Sequence, residues 1–141
     1  MRLLFDTNVL LDVLLKREEF YLDSLESIKK ALDRGDKIYV SSSAITDIYY
    51  IVRKNSLDKT EALEIIKNIA KLFRFAEVNE QVIYSAINSK MSDFEDAVVD
   101  SVGQNISANY IITRNKLDFK YSIIPAINPK EYLKIGDSLQ V

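Results

Sequence analysis

The sequence predicts an α/β protein: a three-layer sandwich in which a central, mostly parallel, twisted sheet of about five strands is flanked by helices. Short apolar runs alternate with segments of helical periodicity along the chain, and this order builds parallel sheets with right-handed crossovers. No internal repeat and no Pro- and Gly-rich linker interrupts the 141 residues. Residues 1–141 are therefore expected to form a single domain.

Five apolar runs are predicted as strands: residues 3–5, 37–40, 73–78, 110–112 and 123–127. Between the first two runs, an amphipathic helix is predicted to end before Gly35, and its apolar face consists of Leu22, Leu25, Ile28 and Leu32. A second helix opens at residues 60–63 and carries Ile65, Ile66, Ile69, Ala70 and Phe73. We interpret both helices as scaffold.

Composition narrows the chemistry that the chain can perform. The sequence contains no cysteine and no histidine, which excludes disulfides, thiolate catalysis and imidazole ligands or bases. Any metal held by side chains would therefore be a hard, oxygen-binding ion such as Mg²⁺ or Mn²⁺. Only three glycines are present, Gly35, Gly103 and Gly136, so a glycine-rich phosphate loop is excluded.

Charge and hydropathy limit the partners. The 19 basic and 21 acidic residues give a net charge of -2, which provides no global basic surface for nucleic acid but permits a local one. No apolar stretch approaches the ~20 residues of a membrane span, and the apolar run between Arg2 and Asp6 is too short for a signal peptide. We expect a cytoplasmic protein with no membrane association.

Asp6 is the first candidate for chemistry. It ends the first apolar run and precedes Thr7 and Asn8, after which apolar residues resume at helical spacing. Open α/β sheets bind ligands at the carboxyl ends of their strands, so Asp6 is placed for binding or catalysis. Asp, Asn and Thr also cap helix N-termini, so capping is an equally supported interpretation of Asp6 alone.

Polar residues also follow the second and fourth predicted strands. Asp47 is the only charge in an otherwise apolar helical segment, about one turn into the helix, where interaction with the helix dipole is the alternative explanation. The fourth strand ends in Thr113, Arg114 and Asn115, with Asp118 shortly after. An ordinary loop built of turn-forming residues is the alternative there.

A later segment carries four acids within eight positions. At helical spacing Asp93, Asp96 and Asp100 share one face, whereas Glu95 points elsewhere. Like charges at this spacing repel. An N-cap at Ser92 or Asp93, with Asp96 at the third helical position, accounts for one or two of these acids but not for the third.

Because the carboxyl ends of parallel strands converge, the predicted fold brings together Asp6, Asp47, Asp96 and one of Asn115 or Asp118, with Asp93 and Asp100 nearby. Clustered carboxylates raise one another's pKa and cannot all ionise without a positive charge. A divalent cation supplies that charge, and Mg²⁺ leaves room in its shell for water and phosphate oxygens. This arrangement is typical of a phosphodiester hydrolase.

Four motifs occur in order along the chain: residues 5–12, the acid Asp47, residues 93–97, and residues 113–115 followed by Asp118 and Phe119. Together they resemble the motifs of PIN-domain proteins, the family of many prokaryotic VapC-type toxin ribonucleases. The resemblance spans nearly the whole chain. It implies a metal-dependent endoribonuclease that cleaves single-stranded RNA.

The resemblance also implies the identity of the acids. The three principal acids correspond to Asp6, Asp47 and Asp96, and the fourth falls at Asn115 or Asp118. Asp6 and Asp96 would hold Mg²⁺ or Mn²⁺. The toxin branch commonly has Glu where this chain has Asp47, which is one methylene shorter. We therefore expect one metal ion in the resting state.

Three further roles follow from the same resemblance. Thr113 would orient a water at the metal, Asn8 would support Asp6, and Arg114 would contact phosphate. A basic rim for RNA would consist of Lys90, Arg114, Lys116 and Lys120.

Partners follow partly from the resemblance and partly from one helix. The resemblance implies a homodimer and, for a toxin, a small antitoxin protein that inhibits the crevice. Tyr49 and Tyr50, with Arg53 and Lys54, form a surface suited to an interface. The adjacent Ile51 and Val52 are expected in the core.

Two other classes of function compete with the nuclease. A phosphoaspartyl phosphatase of the haloacid-dehalogenase type requires a second Asp where this chain has Asn8, and a receiver domain requires an Asp after the third strand, where residues 78–80 are Val-Asn-Glu. A PIN-like module that binds RNA or protein without catalysis is favoured by the departures at Asp47 and Asn115.

Overall fold

Five strands form one sheet at the centre of the protein, in a computed structural model that describes residues 1–55 and 58–138. Every adjacent pair of strands is parallel. The spatial order is β3-β2-β1-β4-β5, for strands β1 (Arg2–Phe5), β2 (Lys37–Ser41), β3 (Arg74–Ala76), β4 (Tyr110–Ile112) and β5 (Ala126–Ile127). The predicted α/β class is confirmed.

Helices cover both faces of the sheet. They are α1 (Thr7–Leu14), α2 (Tyr21–Asp33), α3 (Ser42–Lys54), α4 (Lys59–Leu72), α5 (Glu80–Ile87), α6 (Phe94–Asn105) and α7 (Pro129–Ser138). Leu3 and Phe5 of β1 face a core with α1, α2, α3, α4 and α7, whereas Leu4 faces a second core with α5 and α6. Two cores separated by one sheet give the three predicted layers. Within the described residues, no helix has the length and apolar character required to cross a membrane.

The order of connections places the ligand crevice. The chain runs from β1 outward through β2 to β3, and then returns to the other side of β1 as β4. In open α/β sheets, ligands bind at the carboxyl ends of the two strands where the direction of winding reverses, which here are β1 and β4. Phe5 pairs with Ile112 in register, so Asp6 and Thr113 emerge side by side.

Two strands are shorter than predicted. The N–H of Phe73 donates to the carbonyl of Ile69, so this residue belongs to the end of α4 and β3 begins one position later. The N–H groups of Ile123 and Ile124 donate to the Asp100 carboxylate rather than to a neighbouring strand, which delays the start of β5.

The buried face of α2 differs from the predicted apolar face. Leu22 is 67% exposed and Leu32 is also exposed, whereas the buried positions are Ser24, Ser27, Ile28 and Ala31. Two serines can be buried on this face because their hydroxyls have buried acceptors. Ser27 donates to the carbonyl of Ser24, and Ser24 donates to Asp12 of α1. Small side chains on this face let α2 pack closely against α1.

Candidate active site

A cleft of about 730 Å³ opens between α3 and α6, beyond the carboxyl ends of β1, β2 and β4. Five residues predicted from the sequence line it: Asp6, Asn8, Asp47, Asp96 and Asn115. The acids come from three separate elements, so only the fold brings them to one place. The wall also includes apolar and aromatic side chains, among them Leu11, Tyr50 and Phe94.

Asp6 caps a helix and also faces the cleft, so the two interpretations of this residue are compatible. As N-cap of α1, it accepts the N–H of Thr7 on Oδ1 at 2.8 Å. Its Oδ2 accepts from Nδ2 of Asn8 at 3.2 Å and from the hydroxyl of Thr113 at 2.8 Å. Thr113 is fully buried and also accepts the N–H of Asn115. These bonds hold the Asp6 carboxylate in one orientation.

Burial raises the pKa of the Asp6 carboxyl above its usual value. Several contacts oppose this effect and lower the pKa, namely the hydrogen bonds from Thr113 and the Thr7 N–H and the positive charge of Arg114. The charge of Asp118 raises the pKa further. Three contacts thus favour the ionised form of the Asp6 carboxylate and oppose the effect of its burial.

Asp96 is the second acid of the cleft and sits on the first turn of α6. Asp93 is the N-cap of this helix and accepts the N–H of Asp96 at 2.9 Å, which is the predicted cap arrangement. Partial burial raises the pKa of Asp96 to about 6, assisted by the negative charges of Asp93, Asp6, Asp118 and Glu95. The fold therefore brings Asp6 and Asp118 close enough to Asp96 for their charges to affect it, although both lie far away in the sequence.

Of the other predicted candidates, Asp47 and Asn115 line the cleft, whereas Asp118 does not. Asp47 is exposed on the cleft wall in the second turn of α3, beyond the first turn where a helix-dipole interaction would place it. Asn115 lines the cleft. Asp118 lies on a short 3-10 helix, Lys116–Phe119, and its charge raises the pKa of both Asp6 and Asp96. Asp118 therefore acts electrostatically on the pair, whereas Asn115 supplies an amide.

Asp100 is outside the cleft, contrary to its predicted place beside the other acids. It is 3% exposed and holds the segment that precedes β5. Its carboxylate accepts the N–H groups of Ile123 and Ile124 at 3.1 Å, together with the hydroxyl of Ser122 and the amide of Gln104. The helical spacing placed three acids on one face, but in the second turn of α6 that face already lies against the segment that precedes β5.

The predicted basic rim is largely engaged elsewhere. Arg114 points away from the cleft, with Nε 2.8 Å from Oδ2 of Asp12 and its guanidinium over the ring of Phe20. Lys116 forms an ion pair with Glu131 at 2.9 Å. Lys120 lies over the ring of Tyr121, and Lys90 is exposed. Arg114 is therefore absent from the lining of the cleft, and its predicted contact with phosphate stays a prediction.

Helix α3, which was predicted to provide an interface, contributes to both the core and the cleft wall. Val52 is buried in the core, as predicted, and Ile51 is partly buried. Tyr50 is 66% exposed and lines the cleft, whereas Tyr49 is partly buried, and the interface itself stays a prediction. Helical periodicity could have distinguished the buried residues of α3 from the exposed ones, since Ile48 and Val52 lie one helical turn apart on the buried side.

Sequence reasoning missed four residues with a place in or near the site. Glu95, which was predicted to point elsewhere, lines the cleft and its charge raises the pKa of Asp96. Tyr50 and Phe94 present exposed rings on opposite walls of the cleft. Asp12 is fully buried and pairs with Arg114. The sequence offered an indication for Asp12 alone, which is the single acid among the apolar residues of the first helix. Such an acid is unusual unless it is paired.

The donor chemistry of the cleft fits a hard divalent cation. Among residues 1–55 and 58–138, no group of three or more acids is gathered closely enough to hold a metal by itself. Asp6 and Asp96 could still hold Mg²⁺ or Mn²⁺, because such ions take one or two carboxylates directly and complete their shells with water. In the described part of the chain, Oδ1 of Asn8 is buried and has no hydrogen-bond partner, so this acceptor is available to such a water.

The fold and these motifs define a family. A family model described as PIN domain matches residues 2–117. The chain belongs to the PIN-domain family, as the four sequence motifs predicted.

Three known proteins are similar over nearly the whole chain. Ribonuclease VapC1 of Aquifex aeolicus (strain VF5) is 25% identical over 139 residues, which cover 95% of this chain and 94% of that protein. VapBC2 from Rickettsia felis, crystallised with a DNA fragment from its promoter, contains a chain that superposes with a TM-score of 0.69 at 18% identity, covering 91% of this chain and 98% of that one. VapBC-1 from nontypeable Haemophilus influenzae gives 0.68 at 13% identity, with 92% and 99% covered. Both solved structures share the fold.

Proposed function

We propose that this protein is a ribonuclease that requires Mg²⁺ or Mn²⁺ and hydrolyses phosphodiester bonds of single-stranded RNA. The observation that carries the proposal is the pair Asp6 and Asp96 in one cleft, where the charge of Asp6 raises the pKa of Asp96. Such repulsion is costly without a cation and is relieved by one. The name of the relative Ribonuclease VapC1, which matches 95% of this chain, supports the same reaction.

Each cleft residue receives a role from its position. Asp6 and Asp96 bind the ion, and the hydrogen bonds from Thr113, Asn8 and the α1 N-terminus fix the orientation of Asp6. When bound, a divalent ion lowers the pKa of water and stabilises charge on phosphate oxygens. Asp118 serves as the fourth acid, since its charge acts on both members of the pair.

Asp47 lines the cleft wall and is not among the main causes of the pKa shifts of Asp6 and Asp96. Its short side chain suits a contact through water, either to the ion or to the substrate. We assign it a supporting role.

The walls of the cleft favour an unpaired strand as substrate. Tyr50 on α3 and Phe94 on α6 are 66% and 52% exposed, and both line the cleft. Exposed aromatic rings stack on bases that are splayed out of a helix, which is how proteins commonly bind single-stranded RNA. Stacking also supplies affinity where an acidic cleft repels the phosphates.

The test uses Asp6→Asn and Asp96→Asn beside the parent, with Asp33→Asn as a control because Asp33 is an exposed acid at the end of α2. Each protein is stripped of metal with a chelator and assayed on a labelled single-stranded RNA, with and without added Mn²⁺. We expect cleavage only with Mn²⁺, and only by the parent and the control. Equal cleavage by the parent and both cleft variants would refute the proposal.

Thermal unfolding gives an independent measure of metal binding. A ligand that binds only the folded state raises the melting temperature. Saturating Mn²⁺ should therefore raise the Tm of the parent and leave that of Asp96→Asn unchanged. A Mn²⁺-induced rise of the same size in both proteins would place the ion elsewhere.

A second candidate is a PIN-domain module that binds RNA or protein without catalysis. It is favoured by the absence, within residues 1–55 and 58–138, of any preformed group of three acids, and by the amide of Asn115 in the cleft. Calorimetric titration with Mn²⁺ separates the two candidates, because an inactive cleft should not bind the ion at near-physiological concentration.

We further propose a small antitoxin as protein partner and a homodimer as the assembled form. The VapBC complexes from Rickettsia felis and Haemophilus influenzae, which share this fold, support an antitoxin. A bound antitoxin would inhibit by covering the cleft that contains Asp6 and Asp96. Light scattering of the purified chain, alone and with a neighbouring gene product, measures both states.

A further inference from the structure

Asp12 is a buried carboxylate that the proposed chemistry does not use. It lies on α1, the helix that Asp6 caps, and its exposure is 0%. A carboxylate without solvent requires charged or hydrogen-bonding partners. Its Oδ2 lies 2.8 Å from Nε of Arg114 and accepts the hydroxyl of Ser24 at 3.4 Å, and its Oδ1 accepts from Arg17 at 3.3 Å. Arg114 provides the shortest of these contacts.

Arg114 is held from a second side as well. The guanidinium carbon Cζ lies 4.2 Å from the centroid of the Phe20 ring. A planar guanidinium can stack on an aromatic face while its edge pairs with a carboxylate, a combination that the ammonium group of lysine cannot reproduce. These two contacts keep Arg114 in a small cavity beside the cleft, together with Asn128 and Lys130.

The residues on either side of Arg114 belong to the site. Thr113 donates its hydroxyl to Oδ2 of Asp6 at 2.8 Å, and Asn115 lines the cleft. The two are joined, because the N–H of Asn115 donates to the hydroxyl oxygen of Thr113 at 3.1 Å. The side chain that points away from the cleft is therefore anchored between two residues that act inside it.

We propose that Asp12 and Arg114 are positioning residues of the acidic site. Their ion pair fixes the segment 113–115 and so sets the direction of the Thr113 hydroxyl toward Asp6. Helix α1 thus holds this segment at two points, through Asp6 at its N-cap and through Asp12 further along. The effect of the pair on RNA cleavage rests on the proposed function, whereas its effect on the segment does not.

Arg114→Lys is the main variant, because it keeps the positive charge and removes both Nε and the flat stacking surface. The chain offers a matched control in Arg34, which forms an ion pair with Asp36 at 3.7 Å and lies 5.3 Å from the ring centroid of Tyr132. Asp36 immediately precedes β2, so this second arginine lies at the amino edge of the sheet, opposite the cleft. Arg34→Lys makes the same chemical change away from the site.

The first measurement is hydrogen exchange of the Asn115 amide, followed by NMR on metal-free protein. Loosening of the segment weakens the bond from this amide to Thr113, so we expect exchange roughly tenfold faster in Arg114→Lys and unchanged in Arg34→Lys. Phe20→Leu removes the ring beneath the guanidinium and leaves both charges in place. It should speed the same exchange, by a smaller factor.

The second measurement is RNA cleavage as a function of salt. A positioning role predicts that Arg114→Lys lowers kcat by about tenfold, with KM and its salt dependence unchanged. An increase of KM with a shallower salt dependence would show that Arg114 contacts phosphate, and would overturn the proposal. Unchanged exchange at Asn115 would overturn it equally. If the parent cleaves no RNA, the proposed function fails, and the exchange measurement still decides this inference.

Discussion

The hydroxyl of Thr113 donates a 2.8 Å hydrogen bond to Oδ2 of Asp6, across the boundary between β4 and β1. These two strands are the ones at which the winding of the sheet reverses. The bond lowers the pKa of Asp6, against the burial that raises it. A single hydroxyl therefore helps to keep a desolvated carboxylate ionised and oriented.

Replacing Thr113 with Val tests the catalytic value of that bond. Val has the same shape but no hydroxyl, so Oδ2 of Asp6 loses a donor and its pKa rises further. We expect kcat for RNA cleavage to fall by roughly 10- to 100-fold, the effect of one hydrogen bond to a charged group. Thr113→Ser keeps the hydroxyl and should retain most of the activity. Equal loss in the Val and Ser variants would show that the methyl group, rather than the bond, matters.

The pKa of Asp96 predicts how stability changes with pH in the absence of metal. Its value of about 6 in the folded protein lies above the ordinary 3.8, so the folded state binds this proton more tightly than the unfolded state. The associated stability is fully present below about pH 4 and is lost as the pH rises through about 6. The free energy of unfolding should thus decline over this interval, and less steeply in Asp96→Asn.

Urea unfolding in the presence of a chelator, at several pH values, measures these slopes. Asp47→Asn is the control, since Asp47 is not among the main charges that raise the pKa of Asp96. It should decline as the parent does. Parallel slopes in the parent and Asp96→Asn would contradict the electrostatic account of the cleft.

Asp100 should respond to substitution in the opposite way to Asp96, although only one helical turn separates them. Asp100→Asn places an NH₂ group among donors that include the N–H groups of Ile123 and Ile124. Loss of these bonds to a buried charge should destabilise the fold by about 2 to 4 kcal/mol. Cleavage per folded molecule should be unchanged, as determined from urea midpoints and from kcat at low temperature. A variant that is stable but inactive would show that Asp100 has a role in the active site.

The aromatic walls predict a preference for unpaired bases. Phe94→Leu and Tyr50→Leu should each weaken binding of a single-stranded RNA by about 5- to 100-fold, the range for loss of one stacked base. Tyr84→Leu is the matched control, because Tyr84 is 59% exposed on α5 but does not line the cleft. Fluorescence anisotropy with a labelled oligonucleotide measures the affinity. Equal weakening in all three variants would indicate a nonspecific effect of lost aromatic surface.

The sequence was sufficient to predict the site residues that lie at the ends of strands. Asp6 and Thr113 each follow an apolar run, and parallel pairing of β1 with β4 necessarily brings the positions after Phe5 and Ile112 together. Asp96 was predictable from its place in the first turn of a capped helix. These placements follow from periodicity and topology, which sequence patterns encode directly.

Contacts made by loops were not predictable in the same way. Asp100 shares a helical face with Asp96, but its partners other than Gln104 lie 22 to 24 residues further on, at the start of a run that was predicted as a strand. The direction of Arg114 likewise depends on Asp12 and Phe20, which the fold brings to it from another part of the chain. In both cases tertiary packing determines which of several possible partners is contacted, and a local sequence pattern does not encode the result.

The bond between Thr113 and Asp6 also has a consequence for the order of folding, because 107 positions separate the two residues. Contacts between such distant residues form late, since a long loop must close before they gain any energy. A chain emerging from the ribosome contains Asp6, Asp47 and Asp96 well before β4 can dock beside β1. The acidic site would therefore be incomplete until β4 has been synthesised and has docked beside β1.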